Sequence, residues 1–349
     1  MTTTELEQPI TLPGTRGLTR QRLLIAAGLA LGLVGVPLIG NDYWLNSIII
    51  PTIAMGLAGV GLNLLMGYTG LVSLGSGAFM AIGAFATYNL LLRLPFIPLP
   101  IVLLLSGLIA AVAGVFFGLP SLRIRGFYLA ASTLGAQFFF QWLFTNFNWF
   151  SNDTLTLTIS APRLELLGWD LNSAVGRYLL VTVTTVLLLW LAHNIVTSRI
   201  GRDWMAIRDM NTAAAVIGTK VASRQLLAYG VSSFYCGIAG ALWAFGYLGT
   251  ADGYTFNLDK SFQVLFIVLI GGAASLFGNF LGAAFIILTP ILLDVATSTF
   301  GLSDYIDQAV LANAQRIIFG VLIIVLLIKE PDGLARLLKQ LARKFTPQR

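Results

Sequence analysis

The sequence predicts an all-α, polytopic bundle set in a lipid membrane, with about ten membrane segments. Hydrophobic types make up 57% of the 349 residues and charged types only 10%. A soluble domain carries about a quarter charged residues, so too few remain here to cover a water-facing surface. The mean hydropathy of +0.84 agrees. A single cysteine, Cys236, inside an apolar run excludes a disulfide scaffold and reads as a small buried apolar residue.

The apolar blocks follow in order. Leu23–Gly40 comes first; a long polar leader and the lack of a clear cleavage site argue for a retained span rather than a signal peptide. Leu45–Met66, Leu71–Leu92, Leu99–Leu119 and Phe127–Phe144 come next. After a polar stretch come Tyr178–Ile195 and Leu226–Tyr247. Phe262–Leu293 is too long for one span and is interrupted at Gly271, Gly272 and Gly278, so it reads as two short or broken helices. A last segment runs from about Val310 to Ile328.

Basic residues give the orientation. With a cytoplasmic N-terminus, Arg16, Arg20, Arg22, Arg123, Arg125, the cluster Arg199–Arg224 and the C-terminal basic run fall inside. Only Arg93, Arg163, Arg177 and Lys260 fall outside, and Arg316 sits near the outer start of the last span. Both termini are then cytoplasmic. This placement, rather than nucleic-acid binding, explains the net charge of +6. The chain divides into a tail, 1–20, a membrane domain, 21–330, and a basic amphipathic tail, 331–349, suited to a membrane surface. Within the domain lie a polar outer loop, 145–177, and a cytoplasmic loop, 196–225.

Two glycine-rich stretches stand out. Gly67–Ala78 precedes Gly83, and Gly271–Gly278 precedes Gly282. Each pairs a Ser-Leu element with a Gly-Ala-rich helix. Two related halves arranged as inverted repeats would look like this, and so would tight helix packing. Polar residues inside spans are costly and therefore informative. Asn63, Ser73, Gly75, Ser76, Gly77, Gln137, Gly271 and Gly272 are the candidates for a translocation path. Asn63, Gln137 and Gln141 could instead bridge helices; Gln141, Asn279 and Arg316 are further polar residues in or near the spans.

The cytoplasmic stretch Ser198–Lys220 carries helical spacing from Arg202 onward. Trp204, Ile207, Ala214 and Ile217 alternate with Arg202, Asp203, Arg208 and Asp209; Gly201 precedes the helix and Gly218 stops it. A short amphipathic helix tethered to membrane helices suits a docking lever, or an element lying on lipid. No lysine follows a glycine, so no Gly-Lys-Ser/Thr phosphate loop exists. His193 and Cys236 form no metal-ligand set, no cofactor site is evident, and no acid–base–nucleophile cluster argues for an enzyme. The acidic residues lie almost entirely in loops, which opposes a proton-driven carrier or stand-alone channel.

These residues resemble a known family, the permease subunits of branched-chain amino acid ABC transporters. The resemblance rests on Gly201, Arg202, Ala206, Ile207, Arg208 and Asp209, followed by Ala213–Ala215 and Gly218. It extends to Gly67–Phe79, Gly237–Leu242, Leu269–Gly278 and Lys329–Leu334, and so covers nearly all of the chain from about residue 45. Length and outer loop are similar to the M-type rather than the H-type subunit. Ser76 departs from the family, which often has His there, and Thr154–Thr158 lacks a glycine-rich pattern. The resemblance implies a bacterial inner-membrane location and Gly201–Gly218 as the ATPase-coupling element. It implies as partners a second, H-type permease chain, two ATP-binding subunits that use the ATP, and an extracytoplasmic substrate-binding protein. Urea and short-amide importers share the family, so the resemblance leaves the substrate open between these and small apolar amino acids.

Overall fold

In a computed structural model the chain is described for residues 35, 41–121, 127–152, 154, 156–160, 165–166, 169–170, 172–299, 308–329 and 333–336. The expectations for the tail 1–20, the span Leu23–Gly40, the basic residues Arg123, Arg125 and Arg163, the side chain of Arg316 and the tail beyond 336 lie outside them.

Helices account for most of the described chain. They are α1 (Asp42–Thr69), α2 (Ser76–Arg93), α3 (Leu99–Ser121), α4 (Phe127–Asn146), α5 (Ala174–Thr197), α6 (Arg199–Asp209), α7 (Asn211–Val216), α8 (Val221–Leu248), α9 (Leu258–Gly271), α10 (Gly278–Thr299) and α11 (Gln308–Lys329). Five of them, α1, α3, α5, α8 and α10, are long and apolar enough to cross a membrane. The predicted polar loop after α4 also holds short strands. β1 (Ile159–Ser160) pairs antiparallel with β4 (Thr250–Ala251), and β2 (Glu165–Leu166) with β3 (Trp169–Asp170).

α8 is the central element and packs on α1, α2 and α3. Small residues make that approach close enough. A side chain at Gly83 would strike the backbone of Gly237, and one at Gly240 would strike the backbone of Met80. Glycine at a crossing lets two backbones touch, and dispersion contacts then replace the hydrophobic drive that lipid does not supply.

The periphery shows the reverse pattern. On α3, Leu104, Leu108, Val112 and Phe116 form one exposed stripe, and α5 exposes Val183, Leu187 and Trp190. α11 exposes Ile317, Val321, Ile324 and Ile328. Apolar stripes of this extent need a nonaqueous surround, so the chain is a multi-pass helical membrane protein.

Two widened turns mark one end of the bundle, at Leu45–Ile49 in α1 and Trp243–Leu248 in α8. Pro51 lacks the N–H that Ser47 would otherwise receive, and Ile50 N reaches back five residues to the Leu45 carbonyl instead. Gly249 N does the same with Ala244, at 2.8 Å.

Three expectations need correction. The predicted span Leu71–Leu92 starts late, at Ser76, because Gly70 ends α1 in a left-handed turn (φ 74°) and residues 70–75 stay unwound. The block Phe262–Leu293 does break at 272–277, but unequally: α9 has 14 residues and α10 has 22. The single helix expected from Arg202 to Gly218 is two, α6 and α7, separated at the extended Met210.

Candidate functional site

The elbow α6–α7 begins at Ser198, which closes α5 and opens α6; its Oγ accepts from Ile200 N at 3.2 Å. Gly201 does not precede the helix as expected. It lies inside α6, against the backbone of Val196, where any side chain would collide. The absence of a Cβ therefore lets α6 fold back on the end of α5. Trp204 is fully buried and donates from Nε1 to the Arg224 carbonyl at 2.8 Å. Arg224 also pairs with Asp203 at 2.8 Å, fastening α6 to the start of α8. Ile207 and Ala214 are buried as expected.

Ile217 is the exception, at 75% exposed. The break at Met210 redirects α7 so that Ala214 faces inward while Met210, Val216 and Ile217 face out, at 61%, 87% and 75% exposure. Gly218, at φ 90°, ends the elbow as predicted; Thr219 N bonds to the Ala214 carbonyl at 3.0 Å. Arg202 and Ala206 lie on α6, Arg202 on its exposed side. Arg208 and Asp209 form a surface pair at 2.9 Å, which by itself contributes little. The more telling contact is Arg208 Nη1 donating to the Gly67 carbonyl near the end of α1, at 2.9 Å.

Beside that contact, α1 clasps the unwound segment 272–277. Asn63 is fully buried. Its Nδ2 donates to Asn279 Oδ1 at 3.0 Å, to the Ser275 carbonyl at 3.1 Å and, more weakly, to the Gly272 carbonyl at 3.4 Å. Its Oδ1 accepts from Ala274 N at 2.8 Å, and Tyr68 Oη donates to the Ala274 carbonyl at 2.8 Å. Unwound backbone needs such partners wherever water does not reach it. Gly67 again lacks a side chain where one would strike Asn63 and Ala274. Gly271 packs on Gly278, and Gly272 adopts φ 106°. Gly333, at φ 77°, places the turn after α11 against Gly272.

A second knot surrounds the start of α2. Ala78 N donates to Gln137 Oε1 at 2.6 Å, and Ser261 Oγ donates to the same oxygen at 2.9 Å. Gln137 Nε2 donates to the Phe256 carbonyl at 2.7 Å. Gly77 N is taken by Ser261 Oγ at 2.8 Å, Gly75 N by Ser73 Oγ at 3.3 Å and Leu74 N by Thr133 Oγ1 at 2.9 Å. The N-termini of α2 and α9 thus converge on Gln137, whose amide oxygen lies between two positive helix ends. Ser73 and Ser76 are buried in this knot. A Cβ on Gly75 would lie 2.9 Å from the Thr133 carbonyl, and one on Gly77 would lie 3.0 Å from Ser261 Oγ.

The structure therefore sorts the path candidates into two clusters, Asn63 with Gly271 and Gly272, and Gln137 with Ser73, Gly75, Ser76 and Gly77. In both, an amide side chain, Asn63 or Gln137, bridges helices, whereas Ser73 bonds within its own segment. Ser261 and Thr133 escaped the sequence reading, because a lone hydroxyl in an apolar run carries no signal until its partner is known. Gly67 opens the glycine-rich stretch Gly67–Ala78, yet its contacts with Arg208 and Ala274 are long-range.

Residues 45–327 match the family model described as branched-chain amino acid transport system / permease component. The chain is 30% identical to the high-affinity branched-chain amino acid transport system permease protein LivM of Escherichia coli (strain K12), over 93% of this chain and 77% of the relative. It is 23% identical to the probable branched-chain amino acid transport permease protein LivM of Methanocaldococcus jannaschii, over 89% and 88%. A shorter likeness, 28% identity over 54% of each chain, links it to the autoinducer 2 import system permease protein LsrC of Enterobacter sp. (strain 638). No solved structure gives a significant match. The match runs through the elbow, both clasped glycine segments and the central helix, and the chain belongs to the branched-chain amino acid transport system permease family.

Proposed function

We propose that this chain is an M-type permease subunit of an ATP-driven importer of branched-chain or similar small apolar amino acids. The observation that carries the reading is the elbow: α6 is locked to α1 by Arg208 and Gly67, while α7 presents Met210, Val216 and Ile217 uncovered. A partner docked on that apolar patch has a rigid route into the membrane helices. The partners are two ATP-binding subunits at the elbow, a second, H-type permease alongside, and a substrate-binding protein at the opposite end. The ATP-binding subunits use the ATP; this chain binds no cofactor. The elbow end is cytoplasmic, the membrane is the bacterial inner membrane, and about ten segments cross or enter it.

ATP-driven closure of the partners pushes the elbow. The push reaches the 272–277 break through Gly67, because Arg208, Asn63 and Ala274 all meet there. Such a switch requires contacts that differ between two states, and a clasp of side-chain hydrogen bonds onto unwound backbone can be remade more easily than a continuous helix.

Co-reconstitution of the chain with its partner subunits and binding protein tests the reading. ATP-dependent leucine uptake, not competed by urea or short amides, is the expected result. Uptake of leucine without nucleotide, or no physical association with an ATP-binding subunit, would overturn it.

A further inference from the structure

A pocket of about 420 Å³ opens between α2, α3 and α4 and shares no lining residue with either polar knot. Its walls are almost wholly apolar, with Ile82, Phe85, Ile109, Ala113 and Phe140 among them. Its mouth carries Arg93 and Trp149. The Arg93 guanidinium lies 3.6 Å from the centre of the Trp149 ring and donates from Nη2 to the Trp149 carbonyl at 3.0 Å, leaving its other N–H groups without a protein partner among the described residues. Ile109, at the rim, is 45% exposed and adjoins the apolar stripe on α3.

Depth identifies the occupant. Arg93 ends α2 at the end of the bundle away from the elbow, and Tyr43, Trp44, Phe96, Trp149 and Tyr254 are exposed at that same end. Exposed aromatic rings at one level mark the boundary between lipid and water. From Arg93 the pocket follows α2 down to Ile82, about 16 Å at 1.5 Å per residue. That is roughly half of a ~30 Å hydrocarbon core, the depth that one leaflet's acyl chain fills.

We propose that this pocket holds one acyl chain of an anionic phospholipid from the leaflet at that end, with its phosphate on Arg93. The fork of a guanidinium suits a phosphate, and stacking on Trp149 holds it at headgroup height. The site does not rest on the transport reading. The competing occupant is an amino acid, its carboxylate on Arg93 and its ammonium on Asn89 Oδ1, a buried acceptor without a partner among the described residues. One acceptor on an otherwise apolar wall does not replace the hydration of an ammonium group, and a 16 Å apolar depth exceeds any amino-acid side chain.

Native mass spectrometry of the full chain in detergent, titrated with phosphatidylglycerol or phosphatidylcholine, tests the site. The expected result is one tightly retained phosphatidylglycerol per chain, held better than phosphatidylcholine, whose quaternary ammonium offsets its own phosphate and is repelled by Arg93. Ile109→Trp at the rim and Ala113→Phe on the wall should each reduce its retention about tenfold. Arg93→Gln should bring phosphatidylglycerol down to the phosphatidylcholine level. Unchanged retention in Ile109→Trp, whose exposed position leaves folding intact, would overturn the proposal. So would equal retention of the two lipids by the wild type, or release of the lipid by free leucine.

Discussion

Arg208 on the elbow and Gly67 near the end of α1 are joined by a hydrogen bond of 2.9 Å, across 141 positions of sequence. The carbonyl of Gly67 faces the elbow, while its bare Cα faces Ala274 in the unwound segment. One residue thus touches both the element that partners would push and the backbone that would move.

Replacing Arg208 removes that link without disturbing the core. Arg208→Ala should lower transport-coupled ATP hydrolysis about tenfold, the effect of losing one charge-assisted hydrogen bond worth roughly 1.5–3 kcal/mol. Reversing both charges, Arg208→Asp with Asp209→Arg, should do the same, because the Gly67 carbonyl still lacks its donor. ATPase assays on the reconstituted complex decide; unchanged coupling would separate the elbow from the mechanism.

Asn63 serves four partners from one buried amide. Asn63→Leu should destabilise the protein by about 2–4 kcal/mol, since the buried Asn279 Oδ1 and the half-buried Ala274 N lose their partner. Thermal unfolding in detergent measures this as a lowered Tm. A Tm equal to that of the wild type would mean that the clasp is not under load.

Gln137 distinguishes a structural knot from a path. Gln137→Leu should lower thermal stability by a similar ~2–4 kcal/mol while leaving the order of substrate preference unchanged. Altered discrimination between leucine and smaller amino acids, read in competition uptake, would instead place Gln137 against the substrate.

Gly75→Trp should abolish uptake, because even a Cβ there lies 2.9 Å from the Thr133 carbonyl. Cysteine labelling then separates the causes. A cysteine at Ser73 or Ser76 should resist a water-soluble thiol reagent, given that both positions are 2% exposed. Rapid labelling during turnover would reveal an aqueous path at the knot.

Trp204→Ala should detach the elbow. Truncating a fully buried tryptophan costs about 3–5 kcal/mol and frees the Arg224 carbonyl. Limited proteolysis between α5 and α8 should become faster, with the membrane helices still folded by circular dichroism.

The sequence alone settled what depends on local sums. Hydropathy marked the blocks that became α1, α3, α5, α8 and α10, because transfer into lipid is nearly additive along a run of side chains. Glycine signalled the stop at Gly218 and the break at 271–278, since a left-handed or tightly approached backbone excludes other residues. The same signal misplaced Gly201, where close packing and a helix boundary look alike. Tertiary structure decided the rest. Nothing near Asn63 announces Ala274, and nothing near Gln137 announces Ser261. A polar side chain in a span must find a partner, but the partner is chosen by which helices α8 draws together. The α6–α7 bend at Met210, which turned Ile217 outward, likewise follows from how the elbow seats Trp204 and Ala214 against the bundle rather than from spacing along the chain.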